Sequence, residues 1–161
     1  MKQLLIIWHS RTGAAEAMAR AAYEGARGEG EARLLRAGEA QAEDVLAASG
    51  YLFAAPENLA SLSGEMKEFF DRCYYPVLGR AEGRPYAQMI AAGSDGANAA
   101  RQLARIATGW RLREVQPPMI VNTDAQTTET ILARKSLALP TLAKCRELGA
   151  GMMAGVTSGI W

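Results

Sequence analysis

Leu4-Leu5-Ile6-Ile7-Trp8-His9-Ser10-Arg11-Thr12-Gly13-Ala14-Ala15 places five consecutive apolar residues directly before a turn of small and hydroxyl-bearing ones. Apolar side chains on successive positions, with no alternation, suit a strand covered on both faces, as in a parallel sheet. Beyond the turn, Ala15, Met18, Ala19, Ala22 and Ala26 recur at helical spacing, while Glu16, Arg20, Glu24 and Arg27 occupy the other face. That pattern predicts a helix ending near Gly28-Glu29-Gly30. A buried strand, a short turn and a helix together make the opening unit of an α/β sheet.

The unit then repeats along the chain. Glu31 to Arg36 reads as a more polar strand at a sheet edge, and Ala42 to Ala48 as a brief helix. Tyr51-Leu52-Phe53-Ala54-Ala55 is a second buried strand, expected to stop at Pro56. From Gly64 onward, Met66, Phe69, Phe70, Cys73 and Val77 form the apolar stripe of a long helix. Gln88 to Ala92 is a third buried strand, followed by Gly93-Ser94-Asp95-Gly96 and a helix marked by Ala100, Leu103, Ala104 and Ala107. Trp110 to Val115 and Met119 to Val121 are strand-like pieces separated by Pro117-Pro118, so the last strand is expected to be bent or split. Thr127 to Leu148 is helical in composition, with Pro140 predicting a kink or two helices, and the tail from Gly149 is apolar and glycine-rich. Strands alternating with helices at this spacing predict one doubly wound domain over residues 1–161.

The totals agree with a single soluble domain: 161 residues, 49% hydrophobic and 22% charged. Lys+Arg 18 against Asp+Glu 17 leaves a net charge of +1, so no whole-chain field draws nucleic acid, and binding must come from a local site. Cys73 and Cys145 are far apart, fit no metal-ligand spacing and suit a reduced compartment. The start carries one lysine and an apolar run too short for a signal peptide or a membrane span. The expectation is a cytoplasmic protein with no membrane or nucleic-acid partner.

In an open parallel sheet, ligands bind at the carboxyl ends of the strands where the strand order reverses. Three loops qualify here, after the first, third and fourth strands. The first, Ser10-Arg11-Thr12-Gly13-Ala14-Ala15, leaves backbone N–H groups and hydroxyls free at the start of a helix, which suits an anion. Its alternative reading is an ordinary helix cap with no ligand, since Ser and Thr are also preferred caps.

Ser10-Arg11-Thr12-Gly13 resembles the FMN phosphate loop of flavodoxins and of flavodoxin-like NAD(P)H-dependent reductases, in which a hydroxyl-x-Thr-Gly-x-Thr turn wraps the phosphate. The second loop, with its helix, runs Pro56-Glu57-Asn58-Leu59-Ala60-Ser61-Leu62-Ser63-Gly64-Glu65-Met66-Lys67-Glu68-Phe69-Phe70-Asp71-Arg72. It is similar to that family's Pro-x-Tyr-x-x-x-x-Ser-Gly-x-Met-Lys-x-Phe-x-Asp-Arg stretch. The third, Gly93-Ser94-Asp95-Gly96, lies where the family sets backbone and small side chains against the isoalloxazine ring. The resemblance implies a flavodoxin-like three-layer α/β fold with a five-stranded parallel sheet in the order 2-1-3-4-5. It implies an FMN site formed by Ser10, Arg11, Thr12, Gly13, Ala14, Ala15, Pro56, Glu57, Asn58, Leu59, Gly93, Ser94, Asp95 and Gly96.

Two departures from the family pattern bear on function. Ala15 stands where the family has the last phosphate-loop hydroxyl, removing one donor. Asn58-Leu59 and Ser94-Asp95 stand where flavodoxins place aromatic side chains on the ring, which leaves a ring face open. An open face is what hydride transfer requires, and a net charge of +1 differs from the acidic surface of flavodoxin-type carriers. The favoured expectation is an FMN-dependent oxidoreductase using NADH or NADPH as co-substrate and a quinone or similar small-molecule acceptor. An electron carrier and a flavin-free binding domain are the alternatives. No side chain is assigned a catalytic role, because the flavin carries the chemistry.

Several residues have two readings. His9 is a ligand contact or, as a lone histidine at a strand end, a structural one; Arg11 pairs with phosphate or points to solvent. Glu57 and Asp95 meet ring or ribityl donors, or mark weak flavin binding. Arg72, Arg101 and Arg105 hold an NADPH phosphate or are solvated helix faces. Tyr74, Tyr75 and Trp161 complete a pocket across a homodimer interface or merely pack, and Met152 to Val156 is an interface or a cover over the sheet. A Rossmann dehydrogenase and a P-loop hydrolase are excluded by the absence of their glycine fingerprints. A phospho-receiver is excluded because Trp8-His9-Ser10 and Ala54-Ala55-Pro56 lack its acidic residues.

Overall fold

The computed structural model describes all of residues 1–161. In chain order the elements are β1 (Gln3–Trp8), α1 (Ala14–Arg27), β2 (Glu31–Arg36), α2 (Ala42–Ala47), β3 (Gly50–Asn58), β4 (Ser61–Leu62) and α3 (Gly64–Val77). There follow β5 (Pro85–Ala92), α4 (Ala97–Gly109), β6 (Arg113–Glu114), β7 (Met119–Asn122), α5 (Thr128–Leu132) and α6 (Leu139–Ser158). The parallel strands lie in the order β2-β1-β3-β5, and β6 and β7 both pair with β5 on its far side. Pro117-Pro118 separates β6 from β7, so the fifth parallel strand is split as its prolines dictate, and the order 2-1-3-4-5 holds.

The two faces of the sheet follow from the period of two along each strand. Leu4, Ile6, Trp8, Leu52, Ala54, Ala87 and Met89 pack against α1 and α6, whereas Leu5, Ile7, Tyr51, Phe53, Ala55 and Ile90 pack against α3 and α4. Both faces are covered, which gives the three-layer flavodoxin-like architecture. The α3–α4 layer is aromatic: Phe53 meets Phe70 edge-on at 4.9 Å and Phe70 meets Trp110 at 5.2 Å. The α1–α6 layer is built from small residues and brings its helix backbones close. A Cβ on Gly149 of α6 would overlap the Ala22 carbonyl of α1, and one on Gly25 would overlap the Arg146 carbonyl.

The structure settles four expectations. β3 does not stop at Pro56 but runs on to Asn58, with Pro56 paired to Ala91; β1 pairs only as far as Ala54, so the missing proline N–H faces no partner strand. The stretch after it is no open loop but a hairpin, in which Glu57 opposes Leu62 and Asn58 opposes Ser61. The helical stretch does break, but at residues 133–138; Pro140 opens α6, where its absent N–H is not needed. The glycine-rich tail is helix as far as Ser158. Met152, Met153 and Val156 are buried in the α1–α6 layer, so this stretch covers the sheet within its own chain. Cys73 and Cys145 are buried free thiols, and burial pushes Cys145 up to about 11. No helix is long and apolar enough to cross a membrane.

Candidate functional site

β1 and β3 are neighbours from which the sheet is built outward in opposite directions, so the switch point lies between their carboxyl ends. The turn Ser10–Gly13, the β3–β4 hairpin and the loop Gly93–Gly96 therefore sit side by side at one end of the sheet. Gly13 has φ 101°, a left-handed conformation that glycine adopts without penalty, and its N–H donates to Ser10 Oγ at 3.0 Å. No side chain caps α1. The N–H groups of Arg11, Thr12, Ala14, Ala15 and Glu16 have no acceptor within the chain, although Ala15 is only 1% exposed. Buried N–H groups are nearly always paired, so an uncapped row of them, at the positive end of a 14-residue helix, is a cradle shaped for an anion.

The second and third loops are locked to one another. Glu57 does not reach outward: its Oε1 accepts from Gly96 N–H at 2.9 Å and its Oε2 from Ala99 N–H at 3.2 Å, capping α4 from the neighbouring loop. Asp95 Oδ1 accepts from Ala97 N–H at 3.1 Å, a local turn contact. Asn98 Nδ2 donates to the Ala60 carbonyl, and Gln102 Oε1 accepts from Leu62 N–H at 2.7 Å and Ser61 Oγ at 3.0 Å. Asn122 Nδ2 holds the Ser94 carbonyl at 2.8 Å. The hairpin tip is made by Leu59 (φ 52°) and Ala60 (φ 60°), both left-handed, as a two-residue hairpin turn demands. Leu59 is 102% exposed, held at the tip of the turn and directed into solvent.

The buried His9 ring ties the end of β1 to the start of α3. Its Nδ1 lies 2.8 Å from Ser63 Oγ and its Nε2 lies 3.4 Å from Glu65 Oε2. Burial holds its pKa below the ordinary 6.5; the Glu65 carboxylate opposes this, and Arg11 and Arg36 add to it. The native state therefore takes up its proton less readily than the unfolded chain. The stabilisation is complete above pH 6.5 and is lost as pH falls through the depressed native value. Melting temperatures measured from pH 7.5 to pH 5 are expected to fall more steeply for the wild type than for His9→Gln, which has no imidazole to titrate.

Of the remaining charged candidates, Arg72 is committed to structure, donating to the Ala37 and Ala40 carbonyls and to Glu68. Arg11 is exposed. Arg101 and Arg105 line a cavity of about 640 Å³ with Lys67, Ser61 and Leu62, against the outer side of the hairpin. Trp161 packs on Gly155 at the far end of α6, near the amino ends of the strands and away from the three loops. Tyr74 and Tyr75 stack on each other at 5.2 Å on α3.

Two basic residues on the segment between α5 and α6 reach the Ser10–Gly13 turn. Lys135 N–H donates to the Thr12 carbonyl at 2.8 Å, and Lys135 Nζ donates to Thr12 Oγ1 at 3.2 Å. The Arg134 guanidinium carbon lies 2.8 Å from where a Gly13 Cβ would stand. Lys135 is 123 positions from Thr12, and nothing in the local sequence of either basic residue points to the site. Asn98 and Gln102 carry no local signal either, since each reads as one more polar residue on the solvated face of its helix.

Compared with known proteins, residues 11–126 match the family described as NADPH-dependent FMN reductase. The chain belongs to that family. The FMN reductase family match takes in the first loop from Arg11 onward and the whole of the other two, and ends before α5. A flavodoxin of Aquifex aeolicus (strain VF5) is 41% identical over 86 residues, a stretch covering 52% of this chain and 46% of that protein. Among solved structures, an archaeal flavodoxin superposes with a TM-score of 0.78 at 15% identity, covering 96% of this chain and 99% of the other. A flavodoxin, WrbA-like protein from Agrobacterium tumefaciens does so with a TM-score of 0.78 at 17% identity, over 98% and 99%. At such identities the superpositions establish the flavodoxin-like fold, and family membership places the chain among flavodoxin-like oxidoreductases named for FMN.

Proposed function

We infer that the three loops hold FMN, with its phosphate in the Ser10–Ala15 turn, and that the protein passes electrons from NADPH or NADH to a quinone or similar small acceptor. The observation that carries this reading is the row of unpaired N–H groups at the start of α1, placed at the switch point beside two loops that brace each other. Those donors suit a dianionic phosphate; hydrogen bonds to a charged group contribute about 1.5–3 kcal/mol each. Bound FMN would supply two-electron uptake and release at its ring. The protein's part is to anchor the phosphate, to hold the Asn58–Leu59 and Ser94–Asp95 segments in fixed positions, and to leave ring access open. No aromatic residue occupies those four positions, which favours a reactant lying against the flavin over a closed carrier. The cavity with Lys67, Arg101 and Arg105 is a cationic place for a nucleotide phosphate next to the hairpin. Lys67 is paired with Asp71 at 2.7 Å, whereas Arg101 meets only the neutral Asn98 amide oxygen at 2.6 Å and Arg105 has no carboxylate partner, which leaves both guanidinium charges uncompensated.

The electron-carrier reading is favoured by one observation, the 41% identity to a protein named flavodoxin. The two readings separate in a cuvette. Adding FMN to the purified protein should shift the flavin absorbance bands, and NADPH should then be consumed in the presence of a soluble quinone. A shift without NADPH or NADH consumption supports the carrier; no shift at micromolar FMN sinks both. Ala15→Ser returns a hydroxyl to the turn and is expected to tighten FMN by about ten-fold or more without changing riboflavin affinity.

A further inference from the structure

We propose that Lys135 is a phosphate-positioning residue, and that residues 133–138 form a cationic strap drawn across the phosphate turn from the far end of the chain. The proposal rests on the FMN site inferred above but goes beyond the family match, which ends at residue 126.

The geometry fixes hydroxyl polarity. An ammonium group has donors only, so Thr12 Oγ1, 3.2 Å from Lys135 Nζ, must accept there. Thr12 Oγ1 has no other partner in the chain, and its own proton is left to donate elsewhere. Ser10 Oγ is in the same state, because it accepts from Gly13 N–H. Both hydroxyls of the turn are thereby set as donors, alongside the N–H groups of Arg11, Thr12, Ala14, Ala15 and Glu16. A free hydroxyl samples several orientations; this one is held by a charge. The ammonium is itself pinned, donating to the Ile131 carbonyl at 2.9 Å and the Ala133 carbonyl at 2.6 Å, and the strap backbone is anchored by the Lys135 N–H to Thr12 carbonyl bond at 2.8 Å.

Charge points the same way. Lys135 is half-buried against the turn, and Arg134 lies over Gly13, with its Nη2 3.9 Å from Glu16 Oε2. A helix N-terminus with a lysine and an arginine across it discriminates a phosphomonoester dianion from a neutral ligand. The strap thus supplies, from a distant segment, the favourable charge that offsets the hydroxyl absent at Ala15. The ligand chemistry is a phosphomonoester, carried by FMN or present as inorganic phosphate.

The test compares the wild type, Lys135→Gln and Lys135→Arg in titrations with FMN and with riboflavin, which lacks the phosphate, and in thermal melts with inorganic phosphate. Lys135→Gln should weaken FMN by about ten-fold or more while riboflavin affinity changes less than about two-fold, with Lys135→Arg recovering most of the loss. Equal weakening of both flavins would assign Lys135 a purely structural role and overturn the proposal, as would unchanged FMN binding by Lys135→Gln. If the wild type binds neither flavin, the FMN reading fails. Phosphate raising the melting temperature of the wild type but not of Lys135→Gln would in that case still uphold the strap, and no such difference would overturn it too.

Discussion

Replacing Gly149 by alanine is expected to cost about 3 kcal/mol or more, although alanine is ordinarily the better helix former by about 0.5–1 kcal/mol. The inversion comes from the neighbour. An added Cβ would overlap the Ala22 carbonyl of α1, and backbone cannot swing aside as a long side chain can. The two helices must separate, opening the layer that buries Met18, Met152 and Met153. For a chain of this size the loss corresponds to a fall in melting temperature of about 6–12 °C. Gly151, two residues on in the same helix, has nothing within 4 Å of its hypothetical Cβ. Gly151→Ala should therefore raise stability by a few tenths to about 1 kcal/mol. Equal effects at the two positions would refute the close-packed α1–α6 contact.

Glu57→Ala should cost about 3 kcal/mol, and its consequences should concentrate at the site. The carboxylate accepts from Gly96 and Ala99 N–H groups at the start of α4, and bonds to a charged acceptor contribute about 1.5–3 kcal/mol each. With the side chain truncated, the buried Gly96 amide loses its partner, and the hairpin loses its firmest link to the third loop. Hydrogen exchange at the Gly96 and Ala99 amides should quicken well beyond that in the strands, and flavin binding should weaken with it. Glu57→Gln keeps one acceptor oxygen and forfeits the charge at the helix start, so about half the cost is expected. A Glu57→Ala protein with wild-type exchange at those two amides would remove the basis for treating the loops as one braced unit.

Much of the architecture is readable residue by residue. Leu4–Trp8, Tyr51–Ala55 and Gln88–Ala92 are apolar on both sides, and only a sheet covered on both faces satisfies that. Pro117-Pro118 cannot sit in a ladder, and the last strand duly divides there. The turn from Ser10 to Gly13 carries its meaning locally, because a glycine at positive φ and an uncapped helix start are properties of adjacent residues. Glu57 was equally visible as a residue, but its role was not. A carboxylate beside an expected cofactor suggests ligand contact, whereas the fold turns it toward the amides of another loop.

The sequence by itself therefore determined the alternation of strands and helices, the two-sided burial of the sheet and the hydroxyl-rich turn after its first strand, while the strand order followed from the resemblance those residues carry. The first three depend on periodicity and on the backbone preferences of neighbouring residues. Tertiary structure alone decided that the glycine-rich tail is a helix pressed onto α1, and that β3 passes through Pro56 into a tight hairpin. It also decided that Lys135 bonds to a threonine 123 positions away. Each of those is a contact between segments remote in sequence. Its energy belongs to the pair, and no pattern within either segment records it.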